Sequence, residues 1–178
     1  MTVFGDPNSF ALIVEKLQIW NDGAGYENGI FHFVVDQRIF PRRARVSTLS
    51  ADLGCLSAGN ALVDFPENDA ISSLGTEDAF RFLLNGMLPY LLMDENDIPD
   101  DFETDYTYQA STNNLEDDGC FAFAIGKGNM VRILAAEIEK VPHGEARRIT
   151  ALSEVWIEKD EVSAIISRAK SALDQGML

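Results

Sequence analysis

The chain has 178 residues, 46% hydrophobic and 24% charged, enough apolar material for a buried core and too much for a disordered chain. Its 29 Asp and Glu outnumber 14 Lys and Arg, giving a net charge of −15. Such a surface repels nucleic acid and anionic membranes, so neither is an expected partner; it attracts basic proteins or cations.

The first twenty residues carry no basic region ahead of an apolar run. Asp6-Pro7-Asn8 falls where that run would be, so no secretory signal is expected. No apolar stretch of about eighteen residues occurs, so no membrane span is expected. Cys55 and Cys120 lack a paired spacing; a disulfide between them could form, but nothing requires it. Two thiols without an export signal fit a reducing cytoplasm better.

In chain order, residues 8–20 predict a long strand, with Phe10, Leu12 and Val14 alternating against Ala11, Ile13 and Glu15. Residues 21–25 form a turn or loop. Residues 29–36 predict a second strand. Asp36-Gln37 is a tight turn without the favoured glycine, and Arg38–Phe40 a short third strand ending at Pro41. Residues 47–58 have Leu49, Leu53 and Leu56 at helical spacing, though Gly54 weakens that reading. Residues 76–93 predict a helix capped by Thr76. Phe80, Leu83, Leu84, Met87, Leu88 and Leu91 form its stripe, and Pro89 bends it or ends it early. Cys120–Ile125 and Met130–Glu139 read as a hairpin with Phe121, Phe123 and Ile125 on one face. Residues 149–158 predict another strand, with Ile149, Ala151, Val155 and Ile157 on one side. Asp160 then caps a final helix striped by Val162, Ile165, Ile166, Ala169 and Leu173 and stopped by Gly176. The expectation is one α+β domain over residues 1–178, a mostly antiparallel sheet packed against two or three helices.

Chemistry is sparse. His32 lies between Phe31 and Phe33 in an apolar strand and reads as a sheet residue with one nitrogen satisfied. His143 sits in a Pro-His-Gly turn. Cys120 with His143 would make a nucleophile pair only if the fold brought them together; a packed cysteine is the plainer reading. No Cys or His spacing suits zinc. The run from Asp94 to Asp105 resembles an EF-hand loop superficially. Pro99 stands where glycine is required, Ile98 where a ligand is, and the twelfth residue is not Glu, so an EF-hand is rejected while weak, nonspecific calcium binding stays open; no dedicated metal site and no cofactor are expected. Twenty-nine acids offer many carboxylate pairs, which makes a glycosidase pair uninformative.

The distribution of charge is the informative feature. From Phe82 through Gly126 there is no Lys, Arg or His, while ten acids fall in the same 45 residues. Seven of them lie between Asp94 and Asp105, inside an acidic segment at 94–118. The basic residues cluster elsewhere, at Arg38, Arg42, Arg43 and Arg45. Ile98, Phe102, Tyr106 and Tyr108 are interleaved with the acids. Tyrosine beside carboxylate suits a protein-binding hot spot; the competing reading is a solvated loop whose aromatic rings pin it to the core.

Several stretches together resemble a known family: Val3-Phe4-Gly5-Asp6-Pro7-Asn8-Ser9-Phe10-Ala11, Asn28-Gly29-Ile30-Phe31-His32-Phe33, Ile39-Phe40-Pro41 and Thr48-Leu49-Ser50-Ala51-Asp52-Leu53. They are similar to immunity protein family 42 of bacterial polymorphic-toxin and contact-dependent growth inhibition systems, best over residues 3–56. The resemblance implies a cytoplasmic protein without catalytic residues that binds and neutralises a cognate toxin. It also implies that Gly5 and Pro7 shape the start of the strand while Phe10, Trp20, Phe31 and Phe33 fill the core. The charge map then suggests a toxin with a basic surface, a nuclease for example, contacted by Asp97, Asp100, Asp101, Glu103, Asp105, Tyr106 and Tyr108. Two alternatives stand beside this: an acidic adaptor or nucleic-acid mimic for another basic protein, and a small hydrolase.

Overall fold

A computed structural model describes residues 1–21, 27–140 and 147–178. The expected turn at 21–25 and the His143 turn lie wholly or largely outside the described residues. The strands are β1 (Thr2–Gly5), β2 (Phe10–Lys16), β3 (Asn28–Val35), β4 (Arg38–Phe40), β5 (Ser47–Thr48), β6 (Cys120–Lys127), β7 (Met130–Lys140) and β8 (Arg147–Glu158). The helices are α1 (Leu49–Cys55), α2 (Ala61–Asp64), α3 (Asp69–Ser72), α4 (Thr76–Met87), α5 (Asn113–Asp117) and α6 (Lys159–Asp174). All strand pairings are antiparallel, and the α+β expectation holds. The strands divide, however, between two sheets: β1-β2-β3-β4 with β5 on β3, and β6-β7-β8.

Alternation of side chains assigns the layers. Phe10, Leu12 and Val14 of β2 and Phe31, Phe33 and Val35 of β3 point into one core with α1 and the buried stripe of α6. Cys120, Ala122 and Ala124 of β6 face the same core, with Val131, Ile133 and Ala135 of β7. Small residues on that face of β6 let the two sheets approach. The opposite face of β6, with Phe121, Phe123 and Ile125, packs under Phe80, Leu83, Leu84 and Met87 of α4. The second sheet is thus covered on both faces, and α4 is the lid over its far side.

Local backbone follows from sequence at several points. Asp36 and Gln37 both have positive φ, 48° and 66°, the primed-turn geometry that matches strand twist. Gly5 has φ 110°, and a Cβ there would stand 2.4 Å from the Phe10 carbonyl oxygen, so glycine is required. Pro89 ends α4 at Met87, and a single 3₁₀ turn, Pro89–Leu91, follows.

Other expectations are corrected. The first long strand stops at Lys16 and gives way to a 3₁₀ turn at Gln18–Trp20, leaving Trp20 only half-buried and outside the core. Thr76 is the first helical residue of α4; Gly75 occupies the cap, and the Thr76 hydroxyl instead donates to Glu154 Oε2 at 2.5 Å. The cap of α6 is Glu158 rather than Asp160. Ile149 faces the α4 side while Ala151, Val155 and Ile157 face the other core. A bulge is the reason: Ala135 pairs with Ser153 but Glu137 with Thr150, so β8 carries one extra residue, and Ala151 adopts φ 52°.

Candidate binding surface

The acidic segment leaves the second core and returns to it. Just past the end of α4, Met93 N–H donates to the Pro89 carbonyl at 2.8 Å, and Asp94 begins a chain of tight turns. Asp94 Oδ1 accepts from the Asn96 backbone at 2.9 Å, Phe102 N–H donates to Pro99 O at 3.1 Å, and Asp105 Oδ1 accepts from Thr107 N–H at 2.8 Å. The two aspartate bonds are the local side-chain bonds that Asp favours in turns, and the one between them is a backbone turn bond. The loop is closed by Asp105 N–H donating to Gly86 O at 2.9 Å, back on the last turn of α4. The chain then runs along the edge of β6, where Ala124 N–H donates to Tyr108 O and Ala110 N–H to Ala122 O. Residues 94–107 therefore form a loop with both feet fixed, one on α4 and one on β6.

Within that loop the carboxylates face water. Asp94, Asp97, Asp100, Asp101, Glu103 and Asp105 are all exposed, and no cation among the described residues pairs with any of them. Hydrogen bonds from the Asn96 backbone and side-chain amide hold the Asp94 carboxyl below its usual range. The two tyrosines separate. Tyr106 is 52% exposed, whereas Tyr108 is half-buried against the α4 core and its hydroxyl accepts from Asn68 Nδ2 at 3.1 Å. Tyr108 pins the loop; Tyr106 is available to a partner. Ile98 and Phe102 are partly buried.

The distal part of the acidic segment behaves differently. Asp118 pairs with Arg43 at 3.0 Å. Burial raises the Glu116 pKa, against hydrogen bonds from Ser111 and Gln109, and Glu116 accepts from both side chains. Neither offers a free charge. Arg42 bonds to Glu137 and Glu139, so the basic cluster bridges the two sheets along a cleft of about 570 Å³. Acids and bases in that cleft answer each other.

Cys120 is not an activated nucleophile. Cys120 is buried between the sheets; burial above all, then the nearby Glu137 and Asp118 carboxylates, push its thiol up and keep it protonated. Both cysteines are free thiols. His32 is buried with Nδ1 3.0 Å from the Pro41 carbonyl oxygen, and burial lowers its pKa. The described residues hold no group of three His, Cys, Asp or Glu fit for a metal. No described helix is long and apolar enough to cross a membrane.

A further feature escaped the reading of the sequence. Phe82 is 58% exposed on α4 and Tyr90 55% exposed just beyond it. The signal was present: Phe82 falls off the three-and-four spacing that buries Phe80, Leu83, Leu84 and Met87.

The described residues thus form a two-sheet α+β fold that carries a closed loop of exposed carboxylates without cation partners. The same fold occurs in the crystal structure of CdiI from Burkholderia dolosa AUO158, at a TM-score of 0.72 and 19% identity, covering 96% of this chain and 99% of that one. The family model for immunity protein 42 matches residues 1–172, and the chain belongs to that family of toxin-neutralising immunity proteins. No curated protein matches the chain significantly.

Proposed function

We propose that this immunity protein binds its cognate toxin through the loop at 94–107 and blocks it without chemistry of its own, in the cytoplasm of a cell exposed to contact-dependent inhibition. The observation that carries the reading is the set of six exposed carboxylates with no cation partner among the described residues. Their mutual repulsion is relieved when a cationic surface meets them. Asp97, Asp100, Asp101, Glu103 and Asp105 contribute the field, and Tyr106 the first ring contact. Tyr108 acts from beneath by holding the loop in place.

A basic toxin cleft, as a nuclease would have, suits such a loop as a phosphate mimic. Opposed fields raise association to about 10⁸–10⁹ M⁻¹s⁻¹ at low salt, and close charge pairs couple by roughly 1.5–7 kcal/mol. Speed and tightness are what protection requires, because free toxin is harmful. The test is to change Asp97, Asp100, Asp101 and Asp105 to Asn and Glu103 to Gln together. Association with the toxin should slow by about tenfold or more at low ionic strength, and its salt dependence should flatten. Unchanged association with unchanged salt dependence would place the contact elsewhere.

A further inference from the structure

We infer that the toxin is gripped at this surface by an apolar anchor as well as by charge: Phe82 and Tyr106, linked across the Gly86–Asp105 hydrogen bond, fit an apolar socket rimmed by lysine or arginine. The inference rests on the reading that the acidic loop faces the toxin.

Phe82 lies one helical turn before Gly86, and Gly86 O holds the backbone N–H of Asp105, next to Tyr106. The two rings are therefore carried by neighbouring backbone, one on a helix and one on a loop closed against that helix. Among the described residues, the large aromatic side chains more than a third exposed are Phe82, Tyr90, Tyr106 and Trp156. Trp156 is already engaged, donating to Glu154 at 3.0 Å with the Arg132 guanidinium 5.8 Å from its ring centre. The other three all belong to the cation-free stretch that begins at Phe82. None of them stacks on another ring or on a cation among the described residues. Arg81, the cation just before this stretch, is paired with Glu77 at 2.9 Å.

Exposed rings on fixed backbone make contact at small entropic cost, and buried aromatic anchors inside a polar rim are the usual core of a tight interface. The surrounding charge selects the occupant. A second copy of this chain, at the same net charge of −15, would bring like carboxylates against the loop, whereas a cationic toxin neutralises them. The roles are separable: the acids govern how fast the toxin arrives, the rings how slowly it leaves.

The experiment measures association and dissociation rates with the toxin polypeptide whose lethality this chain relieves on co-expression. The variants are Phe82→Ala, Tyr106→Ala, the five-acid neutralisation, and Ile39→Ala as a distant exposed control. Phe82→Ala and Tyr106→Ala should each speed dissociation by about tenfold or more, with association and its salt dependence within about twofold of the native chain. Ile39→Ala should change neither rate. Dissociation within about twofold of native in both ring variants, at an unaltered melting midpoint, overturns the anchor. If the neutralised chain still loses its salt dependence, the charge reading survives that loss; if it too behaves as native, the surface assignment falls. Self-association in sedimentation that Phe82→Ala abolishes would also overturn the inference, in favour of a second copy.

Discussion

Two groups of carboxylates coexist on this molecule, and they are treated in opposite ways. On and beside the second sheet, acids are answered by arginine: Glu154 by Arg132, Glu137 by Arg42, Glu139 by Arg42 and Arg148, Asp118 by Arg43. In the loop from Asp94 to Asp105, the described carboxylates have no such partner. The contrast separates acids that arginines tie to the second sheet from loop acids that stand in water without a cation. Repulsion within the loop is tolerable because exposed charges are screened beyond about 8 Å at physiological ionic strength. Acids paired with arginine on and beside the second sheet tie elements together, while the loop acids carry no such structural bond to a cation.

Breaking the most buried pair should have the largest effect. The Arg132 side chain is 3% exposed, and its guanidinium donates to the carbonyls of Ile71, Ser72 and Leu74 as well as to Glu154, tying the segment before α4 to the sheet. Arg132→Ala should cost about 3–5 kcal/mol in urea unfolding, because it strands a carboxylate and three carbonyls. The cross-sheet pair comes next. Glu137 accepts from the Arg42 backbone at 2.8 Å and from its side chain. Glu137→Gln should cost about 1–3 kcal/mol, toward the lower end because the Arg42 side chain is half-exposed.

A third group sharpens the comparison: acids buried against neutral donors. Asp52 is fully buried, bonded to Thr112 and Asn114, and burial raises its pKa despite those bonds; Glu116 is raised for the same reason. Both bind a proton more tightly folded than unfolded. Their contribution is present at low pH and declines as pH rises from the unfolded value of about 4 through the folded one. Glu154 runs the other way. Burial opposes its charge, but hydrogen bonds from Arg132 and Thr76 outweigh that and lower its pKa, so its contribution is lost as pH falls through the folded value. In urea midpoints followed across the acid range, Asp52→Asn should remove part of the decline with rising pH, and Arg132→Ala should remove the Glu154 loss at low pH. Smallest of all should be the effect of the loop on stability. Neutralising its five named acids should leave unfolding within about 0.5 kcal/mol of native.

Much of this was legible in the chain because it is local. The Asp36-Gln37 turn, the alternation of β6 and the stripe of α6 each follow from neighbouring residues, and a run of acids without cations has to face water. What was not legible depends on distant partners. Arg43 meets Asp118 across 75 positions, so the segment 94–118 divided into free and paired acids in a way that spacing alone does not reveal. Tyr106 and Tyr108 look alike in sequence; only the pairing of residues 108–110 with β6 and the Asn68 bond distinguish the pin from the exposed ring. The division into two sheets likewise depends on which edges meet, and the bulge at Ala151 turned Ile149 to the opposite face. Helices α2 and α3 have four residues each, too short for a periodic signal, and are held by Asn60 and Asn68 caps.

The most direct test compares two chains that lose the same charge in different places. One carries the five loop substitutions at Asp97, Asp100, Asp101, Glu103 and Asp105. The other removes five exposed acids elsewhere: Asp36, Glu158, Asp160, Glu161 and Asp174. Toxin association is then followed by stopped flow as salt is raised. The loop chain should associate more slowly by about tenfold or more at low salt and lose most of its salt dependence, while the other stays within about threefold of native. Equal slowing in both would mean that total charge, and not this loop, draws the toxin in.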